Sequence, residues 1–301
     1  MDKIVNILKP TGMTSHDVVS RVRKILNIKK VGHTGTLDPD ASGVLPICIG
    51  KATKVSELIL NKDKSYICEL TLGITTDTYD SSGEIVEKVE SFNVSEEDIK
   101  KAFETQLGEI DQLPPIYSAL KVNGKRMCDL VRSGREDEIV LKTRKVNIKQ
   151  IDILSIKENK VMFYVKCSKG TYVRSICYDI GKHLGCGGHM SFLNRTSSGK
   201  FNLQNSITLE ELEEYNKNNT LEKVLYDIDY VLDKFNYLVI NPNATKYYVN
   251  GGIIDSRRFL ETTFKPEDEL VRVYSEKNFL GIGKLSKHNG YLSVKSDKLF
   301  I

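Results

Sequence analysis

The chain has 301 residues, of which 28 % are charged and 8 % aromatic, and it carries a formal net charge of +4. This composition excludes a disordered chain and a fibrous repeat, and the length is ample for one large core with a second small domain. The net charge is too small to indicate a polyanionic partner by itself, so any nucleic-acid argument needs local clusters of basic residues.

Neither a membrane segment nor a metal site is expected from the sequence. No apolar run approaches the length of a membrane span, and the chain begins with a strand-like segment rather than a charged-then-apolar leader. The six cysteines form no Cys-x-x-Cys pair, which is typical of reduced thiols in a cytoplasmic protein. His183, Cys186 and His189 are evenly spaced, but a glycine-rich loop without an obvious fourth ligand is the better interpretation.

The N-terminal half mixes predicted helices with short strands. Thr14 or Ser15 can cap the first helix, and the capping box that begins at Ser95 starts the third. The helices are predicted over 14–26, 51–60 and 95–107, and the strands over 66–72 and 83–89.

The second half ends in a β-rich tail. A strand and a helix are predicted over 161–167 and 172–184, and the tail strands over 237–240, 270–274, 279–282 and 291–294. The elements follow no regular βαβ period, which favours an α+β fold with a mainly antiparallel sheet. A boundary near 233–234 separates the tail, which predicts a small β module, with a closed barrel as one form.

Asp38 lies in the most informative segment of the chain, a glycine-rich loop. It stands between Gly35 and Gly43 and directly before Pro39, so the segment cannot continue a helix. An apolar run over 44–49 follows at once, which predicts a buried strand that holds the loop rigidly. A carboxylate placed in this way can act as nucleophile, general base or metal ligand, or it can simply cap the turn.

Basic residues cluster between positions 121 and 150, where acidic residues are fewer. The cluster consists of Lys121, Lys125, Arg126, Arg132, Arg135, Lys142, Arg144, Lys145 and Lys149. The stretch indicates an exposed excursion from the core, which is either a solvated loop or an arm that binds phosphates.

Several motifs together resemble those of the bacterial tRNA pseudouridine-55 synthases, the TruB family. They occur in the family's order over residues 4 to about 200, and the tail is similar to a PUA module only in position, length and β-rich pattern. The motifs are Lys9-Pro10-x-Gly12-x-Thr14-Ser15, Gly32-His33-Thr34-Gly35-Thr36-Leu37-Asp38-Pro39, Lys64-x-Tyr66, Thr76-Asp77-Thr78-x-Asp80, Tyr117-Ser118-Ala119-Leu120-Lys121, Ser168-Lys169-Gly170-Thr171-Tyr172-Val173-Arg174 and Leu193-x-Arg195.

The resemblance implies an enzyme that isomerises uridine 55 to pseudouridine in the T-loop of tRNA, by base flipping and without metal or other cofactor. It implies a pseudouridine synthase fold, with a curved mixed, mainly antiparallel sheet flanked by helices. The catalytic domain would span 1–233, with an RNA-gripping insert at about 121–150, and a PUA-like RNA-binding domain would span 234–301. The expected partner is the T-arm and loop of tRNA, and a monomer is the default.

Three catalytic residues follow from the resemblance. Asp38 matches the family's nucleophile, which attacks either the ribose C1′ or the uracil C6. Arg174 matches the arginine that pairs with it, and a guanidinium there would lower the pKa of the carboxyl and fix its orientation. Tyr66 matches a tyrosine that stacks on the flipped base and aids proton removal from C5.

The resemblance also implies substrate-binding residues. His33 would fill the space that the base leaves or stack beside it, and Leu193 would form an apolar wall. Lys9 carries over as a structural or active-site support, and Tyr172 belongs to the motif that contains the arginine. Asp77 and Asp80 are expected to form turns rather than to take part in catalysis.

Three alternatives stay open. The first is the catalytic subunit of a guide-RNA-dependent pseudouridylation particle, which shares the aspartate loop but lacks a full inserted arm. The second is a metal-dependent phosphohydrolase built on Asp38 and Asp40, although here the apolar run follows the pair instead of preceding it. The third is a non-catalytic helper that binds and folds tRNA.

Overall fold

The computed structural model describes residues 1–122, 124–265 and 268–301. The strands are β1 (Ile4–Lys9), β2 (Val31–His33), β3 (Ser42–Ile49), β4 (Lys64–Leu72), β5 (Ile74–Thr76), β6 (Ile85–Lys88), β7 (Gly108–Gln112), β8 (Lys121–Val122), β9 (Lys125–Arg126), β10 (Arg144–Lys157), β11 (Lys160–Cys167), β12 (Gly188–Ser198), β13 (Phe201–Asn202), β14 (Leu225–Tyr226), β15 (Tyr237–Ile240), β16 (Ile254–Asp255), β17 (Phe259–Thr262), β18 (Leu270–Ser275), β19 (Asn278–His288) and β20 (Tyr291–Leu299).

Seven α-helices lie within the described ranges: α1 (Ser15–Leu26), α2 (Ser56–Leu60), α3 (Glu96–Glu104), α4 (Met127–Arg132), α5 (Val173–His183), α6 (Leu209–Lys217) and α7 (Thr245–Val249). Short 3₁₀ helices cover Gly50–Val55, Glu136–Glu138, Leu203–Asn205, Leu221–Lys223, Ile228–Val231, Pro242–Ala244 and Ser256–Arg258. Among the helices that the structure describes, none has both the length and the apolar character needed to cross a bilayer.

The main sheet has ten strands over the described residues. Their order is β14-β1-β3-β12-β4-β11-β10-β7, with β2 added to β3 and β13 added to β12. Within the described ranges the sheet is antiparallel except where β3 meets β12, and that parallel contact pairs two residues of each strand, Ser42 with Asn194 and Gly43 with Arg195. The predicted mixed, mainly antiparallel sheet is therefore confirmed.

Helices cover the sheet through apolar side chains. On the half formed by β12, β4, β11 and β10, α3 and α5 pack over one face, where Phe103 meets the ring of Phe163 edge-on at 5.0 Å between centroids. On the other half, α1 and α6 pack against β1 and β3. α1 forms where predicted, because Thr14 accepts from the amide of Asp17 while the Asp17 carboxylate accepts from the amide of Thr14.

Two segments differ from the sequence prediction. The helix expected over 51–60 is α-helical only at Ser56–Leu60, and a 3₁₀ helix precedes it. The basic stretch expected to leave the core over 121–150 ends earlier, because residues from Arg144 onward belong to β10. Val146 and Ile148 alternate inward there and anchor that strand between β7 and β11, while the basic side chains at 145 and 149 face solvent.

The tail forms a second sheet. Over the described residues its order is β16-β20-β19-β18-β15-β17, so β16 and β17 are its edges there and the described strands do not close into a barrel. The predicted strands at 237–240, 270–274, 279–282 and 291–294 all lie in it. Ile282 and Phe300 pack into one apolar cluster with Ile4 and Val44 of the main sheet, which joins the two sheets.

Candidate active site

The Asp38 loop spans residues 34–41, between β2 and β3. It enters β3 through Gly43, whose φ of +113° is unfavourable for other residues. A Cβ at this position would also lie 2.3 Å from the backbone oxygen of Arg195 in β12. Glycine therefore lets β12 approach the loop closely enough to form the parallel contact.

Lys9 anchors the loop through hydrogen bonds from its ammonium group. Its side chain is fully buried, and its ammonium donates to the carbonyl oxygens of Pro10, Pro39 and Ala41 at 2.8, 3.1 and 2.6 Å. Burial lowers the pKa of Lys9 to about 8, although the nearby Asp38 carboxylate favours the charged form. Of the two support roles expected for Lys9, this geometry fits the structural one, because the ammonium has no exposed surface.

Ser15 fixes the residue next to the carboxylate. Its buried hydroxyl accepts from the amide of Leu37 at 2.8 Å and donates to the carbonyl of the same residue at 3.1 Å. Both peptide groups that flank the Leu37 side chain are thereby held in place. The sequence analysis treated Ser15 only as a helix cap, although its place in the first motif was a signal.

Arg174 stands beside Asp38 on the first turn of α5, as predicted. Its side chain is 8 % exposed, and its Nε and Nη2 atoms lie 3.2 and 3.5 Å from the two Asp38 oxygens. Nη1 donates to the carbonyl of Thr78 at 3.1 Å, and Nη2 donates to that of Tyr117 at 3.1 Å. A second carboxylate, that of Asp80, lies 3.4 Å from Nη1. The guanidinium is therefore fixed from several sides.

Asp80 forms the expected turn and also contacts Arg174. It forms a turn, since its Oδ1 accepts from the Thr78 hydroxyl at 2.7 Å and from the Ser82 amide at 3.0 Å. It also pairs with Arg174, a long-range contact that the turn pattern does not reveal. Asp77 behaves as expected, and its carboxylate accepts from the amide of Glu84 at 2.8 Å.

The pKa of Asp38 is raised above its ordinary value. Burial is the main cause, the charge of Asp80 adds to it, and Arg174 opposes it. The Arg174 guanidinium lowers the pKa as expected, but burial and the second carboxylate together outweigh this one cation. The side chain of Asp38 keeps 40 % of its surface accessible, so a ligand can reach the carboxylate.

Tyr66 and Leu193 lie in the apolar cluster that also contains Leu37 and Ala41 of the loop. Burial raises the pKa of Tyr66 to about 12, so its phenol is neutral near pH 7. The cluster brings apolar side chains and the Tyr66 phenol next to the loop that carries Asp38, which suits a flat heterocycle as a ligand.

His33 and Tyr172 are close in sequence to two members of this cluster, Leu37 and Val173. The Nδ1 of His33 accepts from the amide of Gly35 at 3.3 Å, and burial lowers the pKa of the ring, so the neutral imidazole is favoured. Tyr172 is the residue before α5, and Gln112 binds its amide and carbonyl at 2.8 and 3.0 Å. Gln112 was missed in the sequence analysis, since nothing local marks a glutamine that clamps a distant peptide.

The residues weighed as metal ligands do not form a cluster. His183 is exposed at the end of α5, whereas His189 is buried with its Nδ1 2.9 Å from the carbonyl oxygen of Ile74. Across the described ranges, no group of three or more His, Cys, Asp or Glu side chains is placed to hold a metal ion.

Comparison with known proteins identifies the family. The family model described as TruB family pseudouridylate synthase (N terminal domain) matches residues 23–173, and tRNA pseudouridylate synthase B C-terminal domain matches 174–233. A protein of Clostridioides difficile (strain 630) named tRNA pseudouridine synthase B is 79 % identical over 100 % of both chains. One of the same name from Alkaliphilus oremlandii (strain OhILAs) is 50 % identical, over 94 % of this chain and 93 % of that one.

Solved structures share the fold. A chain in "Structure of H/ACA RNP bound to a substrate RNA containing 2'-deoxyuridine" has a TM-score of 0.73 and 27 % identity, over 99 % of this chain and 85 % of that chain. A chain in "Crystal Structure of a Cbf5-Nop10-Gar1 Complex" has a TM-score of 0.74 and 28 % identity, with the same coverage. The predicted pseudouridine synthase fold is confirmed, and the chain belongs to the TruB family of pseudouridylate synthases.

Proposed function

We propose that this protein is a tRNA pseudouridine synthase that isomerises uridine 55 in the T-loop of tRNA. The observation that carries the proposal is the accessible Asp38 carboxylate, paired with the buried Arg174 guanidinium beside an apolar cluster that contains Tyr66. The 79 % identity with a full-length relative named tRNA pseudouridine synthase B supports tRNA as the substrate. The position of the uridine and the T-arm as partner rest on the motif resemblance.

The reaction needs a base that has left its stack. Extruding a uridine costs a few kcal/mol, and the apolar pocket repays part of this by contact with the ring. Asp38 then attacks either C1′ or C6, the N1–C1′ bond breaks, and the uracil turns. A bond forms between C5 and C1′, the bond to Asp38 breaks and restores its carboxylate, C5 loses its proton, and N1 gains one, so atoms balance without a cofactor. Because the free uracil stays bound, the pocket must exclude water.

We assign the pocket residues by their place in the site. Arg174 orients the nucleophile, and Leu193 supplies the apolar wall. Tyr66 stacks on the base with a neutral phenol, which hydrogen-bonds during proton removal from C5 rather than acting as a phenolate. His33 occupies the space that the base leaves, and Tyr172 contacts the nucleotide beside the Arg174 helix.

The domain organisation is part of the proposal. Residues 1–233 would form the catalytic domain, which the end of the family match at 233 and the start of the second sheet at 237 support. The basic insert, shortened to about 121–143 by the start of β10, would grip the RNA backbone. Residues 234–301 would be a PUA-like RNA-binding domain. The enzyme would work as a cytoplasmic monomer without metal or other cofactor.

The test is release of tritium from C5-tritiated uridine in an unmodified tRNA transcript, without metals and without a guide RNA. We expect one uridine per tRNA to react, and a transcript with uridine 55 replaced by cytidine to release nothing. Activity that required a guide RNA would favour the particle subunit, which the structural neighbours from RNA–protein particles support. A requirement for metal would favour the phosphohydrolase alternative.

Asp38→Asn separates catalysis from tRNA binding. The variant keeps the side-chain volume and loses the nucleophilic oxygen, so we expect isomerisation to disappear while tRNA binding persists in a filter assay. Full activity of this variant would overturn the assignment of Asp38. A wild-type protein that binds tRNA and releases no tritium would favour the folding helper.

A further inference from the structure

Gln112 is a buried glutamine at the end of β7, an edge strand of the main sheet over the described residues. Only 2 % of its surface is exposed. Its side-chain amide forms two hydrogen bonds to one residue far along the chain: Oε1 accepts from the amide of Tyr172 at 2.8 Å, and Nε2 donates to the carbonyl oxygen of Tyr172 at 3.0 Å. The side chain therefore fixes both backbone polar groups of the residue that directly precedes α5.

The first turn of α5 begins at a residue that is a poor N-cap. The preferred N-cap residues are Ser, Thr, Asp and Asn, whose short side chains accept from the amides of the first turn. Tyr172 occupies this position, and within the described residues its side chain caps none of those amides. The ends of a helix open easily unless they are held, and this turn carries Arg174, whose Nε lies 3.2 Å from a carboxylate oxygen of Asp38. Gln112 supplies a hold from outside the helix.

The residues that follow Gln112 contact the same turn. The carbonyl oxygen of Leu113 accepts from the buried hydroxyl of Ser175 at 2.7 Å. The carbonyl oxygen of Tyr117 accepts from Nη2 of Arg174 at 3.1 Å. Two consecutive prolines lie between these carbonyls, and each ring fixes its own φ, so the connection is stiff. This segment therefore holds the first turn at three points, and of these three Gln112 is the one that acts through its side chain.

We propose that Gln112 is a positioning residue, which clamps the first turn of α5 so that the Arg174 guanidinium stays in place beside the Asp38 carboxylate. The role in catalysis rests on the proposed function. The clamp itself is a property of the free protein and can be measured without substrate.

The first experiment replaces the amide of Gln112 by a carboxyl group. A protonated Glu has one O–H donor and one carbonyl acceptor and can form both hydrogen bonds to Tyr172, whereas an ionised Glu has acceptors only and faces the Tyr172 carbonyl with repulsion. We expect the ratio of the Gln112→Glu single-turnover rate to the wild-type rate to rise about tenfold between about pH 8.5 and about pH 5.5, as the carboxyl group is protonated. A ratio that stays constant with pH would overturn the proposal.

Gln106→Glu is the matched control. Gln106 is also buried, with 8 % of its surface exposed, and its Nε2 donates to the hydroxyl of the neighbouring Thr105 at 3.3 Å. The same substitution therefore places a carboxyl group in a similarly buried position away from Tyr172, and we expect its ratio of rates to stay constant with pH. An equal pH dependence in the two variants would mean that any buried carboxyl group produces the effect, which would overturn the assignment to Gln112.

The second experiment asks whether Gln112 acts through Arg174. Gln112→Leu removes both hydrogen bonds, and we expect the single-turnover rate to fall about tenfold while the dissociation constant for tRNA stays unchanged. In an Arg174→Lys background we expect a loss of less than about threefold, because the guanidinium is then already absent. Equal losses in both backgrounds would overturn the proposal. If the Leu variant does not fold, Gln112→Glu at about pH 8.5 replaces it in the cycle.

The third experiment measures hydrogen exchange in the free protein by mass spectrometry. Gln112→Leu, or Gln112→Glu at about pH 8.5, should speed exchange in a peptide that covers the first turn of α5 and leave a peptide that covers β11 unchanged. Unchanged exchange in the first turn would overturn the clamp. If the wild type itself releases no tritium, the proposed function fails while this measurement still tests the clamp.

Discussion

The guanidinium of Arg174 interacts with two carboxylates at the centre of the site. Arg174 contacts Asp38 and Asp80, and two backbone carbonyls complete its shell. An arginine suits this position because its planar fork can donate in several fixed directions at once, which a lysine cannot do. The charge of the nucleophile therefore depends on three side chains together rather than on a single ion pair.

Arg174→Lys is expected to move the acid limb of the pH–rate profile to higher pH. In the proposed reaction the Asp38 carboxylate is the nucleophile, so the rate should fall as pH drops through its pKa, which is already raised in the native protein. Arg174 lowers that pKa, and a lysine that cannot keep the contact would let it rise further. We expect the single-turnover rate at neutral pH to fall by about 10²-fold, since the nucleophile is also oriented less well. Arg21→Lys, on the exposed face of α1, is the control and should leave the profile unchanged.

Asp80→Asn should shift the acid limb of the pH–rate profile to lower pH. The charge of Asp80 raises the pKa of Asp38, so its removal lets the nucleophile stay ionised at lower pH. The maximal rate should still fall, because Arg174 loses a partner that fixes it. A limb that moves to higher pH in this variant would contradict this role of Asp80, and the pH profile of tritium release checks it.

At the scale of elements, β1 and α1 form a cradle for the nucleophile loop. Lys9 at the end of β1 and Ser15 at the start of α1 hold the backbone at Leu37, Pro39 and Ala41 on either side of the carboxylate. Buried hydrogen bonds to backbone groups of this kind give a loop the rigidity of the elements that flank it.

Ser15→Ala tests the cradle. The variant leaves the amide and carbonyl of Leu37 without their buried partner, which costs about 1–3 kcal/mol in free energy of unfolding. We expect the rate of isomerisation to fall while tRNA affinity is kept, because the loop carries the nucleophile. Ser20→Ala on the same helix is the matched control, with little effect expected on urea unfolding or on rate. Equal behaviour of the two variants would contradict the cradle.

Local sequence patterns predict those helices and strands whose formation depends on neighbouring residues. The capping boxes at Thr14 and Ser95 and the alternation over 161–167 mark elements that the structure contains. The role of Asp80 could not be read in this way, because its turn is formed by neighbours while its second partner, Arg174, lies far along the chain. The net rise in the pKa of Asp38 could not be read from the sequence for the same reason, since burial is a property of the folded core.

For the whole molecule, the two sheets share one apolar cluster, so the β-rich tail is part of the same packed body. Ile282 and Phe300 of the tail contact the core that also buries Ile4 and Val44. Tyr274 adds a polar link by donating to Asp229 at 2.7 Å. A substrate that bridges both sheets would therefore meet surfaces with a fixed spacing.

The charge of the insert should set the salt dependence of tRNA binding. Arg126 and Arg135 are paired with acids, whereas Lys121 and Lys125 lie in no ion pair within the described residues. Replacing both lysines by Gln should weaken binding and reduce the slope of log K against log salt by about one for each phosphate group that the variant no longer binds. Lys100→Gln on α3 is the control. An unchanged slope in fluorescence titrations would exclude the insert from phosphate binding.

The short parallel contact between β3 and β12 has a further consequence. The loop that carries Asp38 leads into β3 on one side of this contact, whereas Tyr66 lies on β4 and Arg174 on α5 on the other side. Because the described strand ladder has only two residue pairs here, side-chain contacts such as that of Arg174 with Asp38 must carry most of the link between the halves. Their loss on warming would stop catalysis while most of each half stays folded. On gradual warming, activity should therefore vanish a few degrees before circular dichroism reports melting.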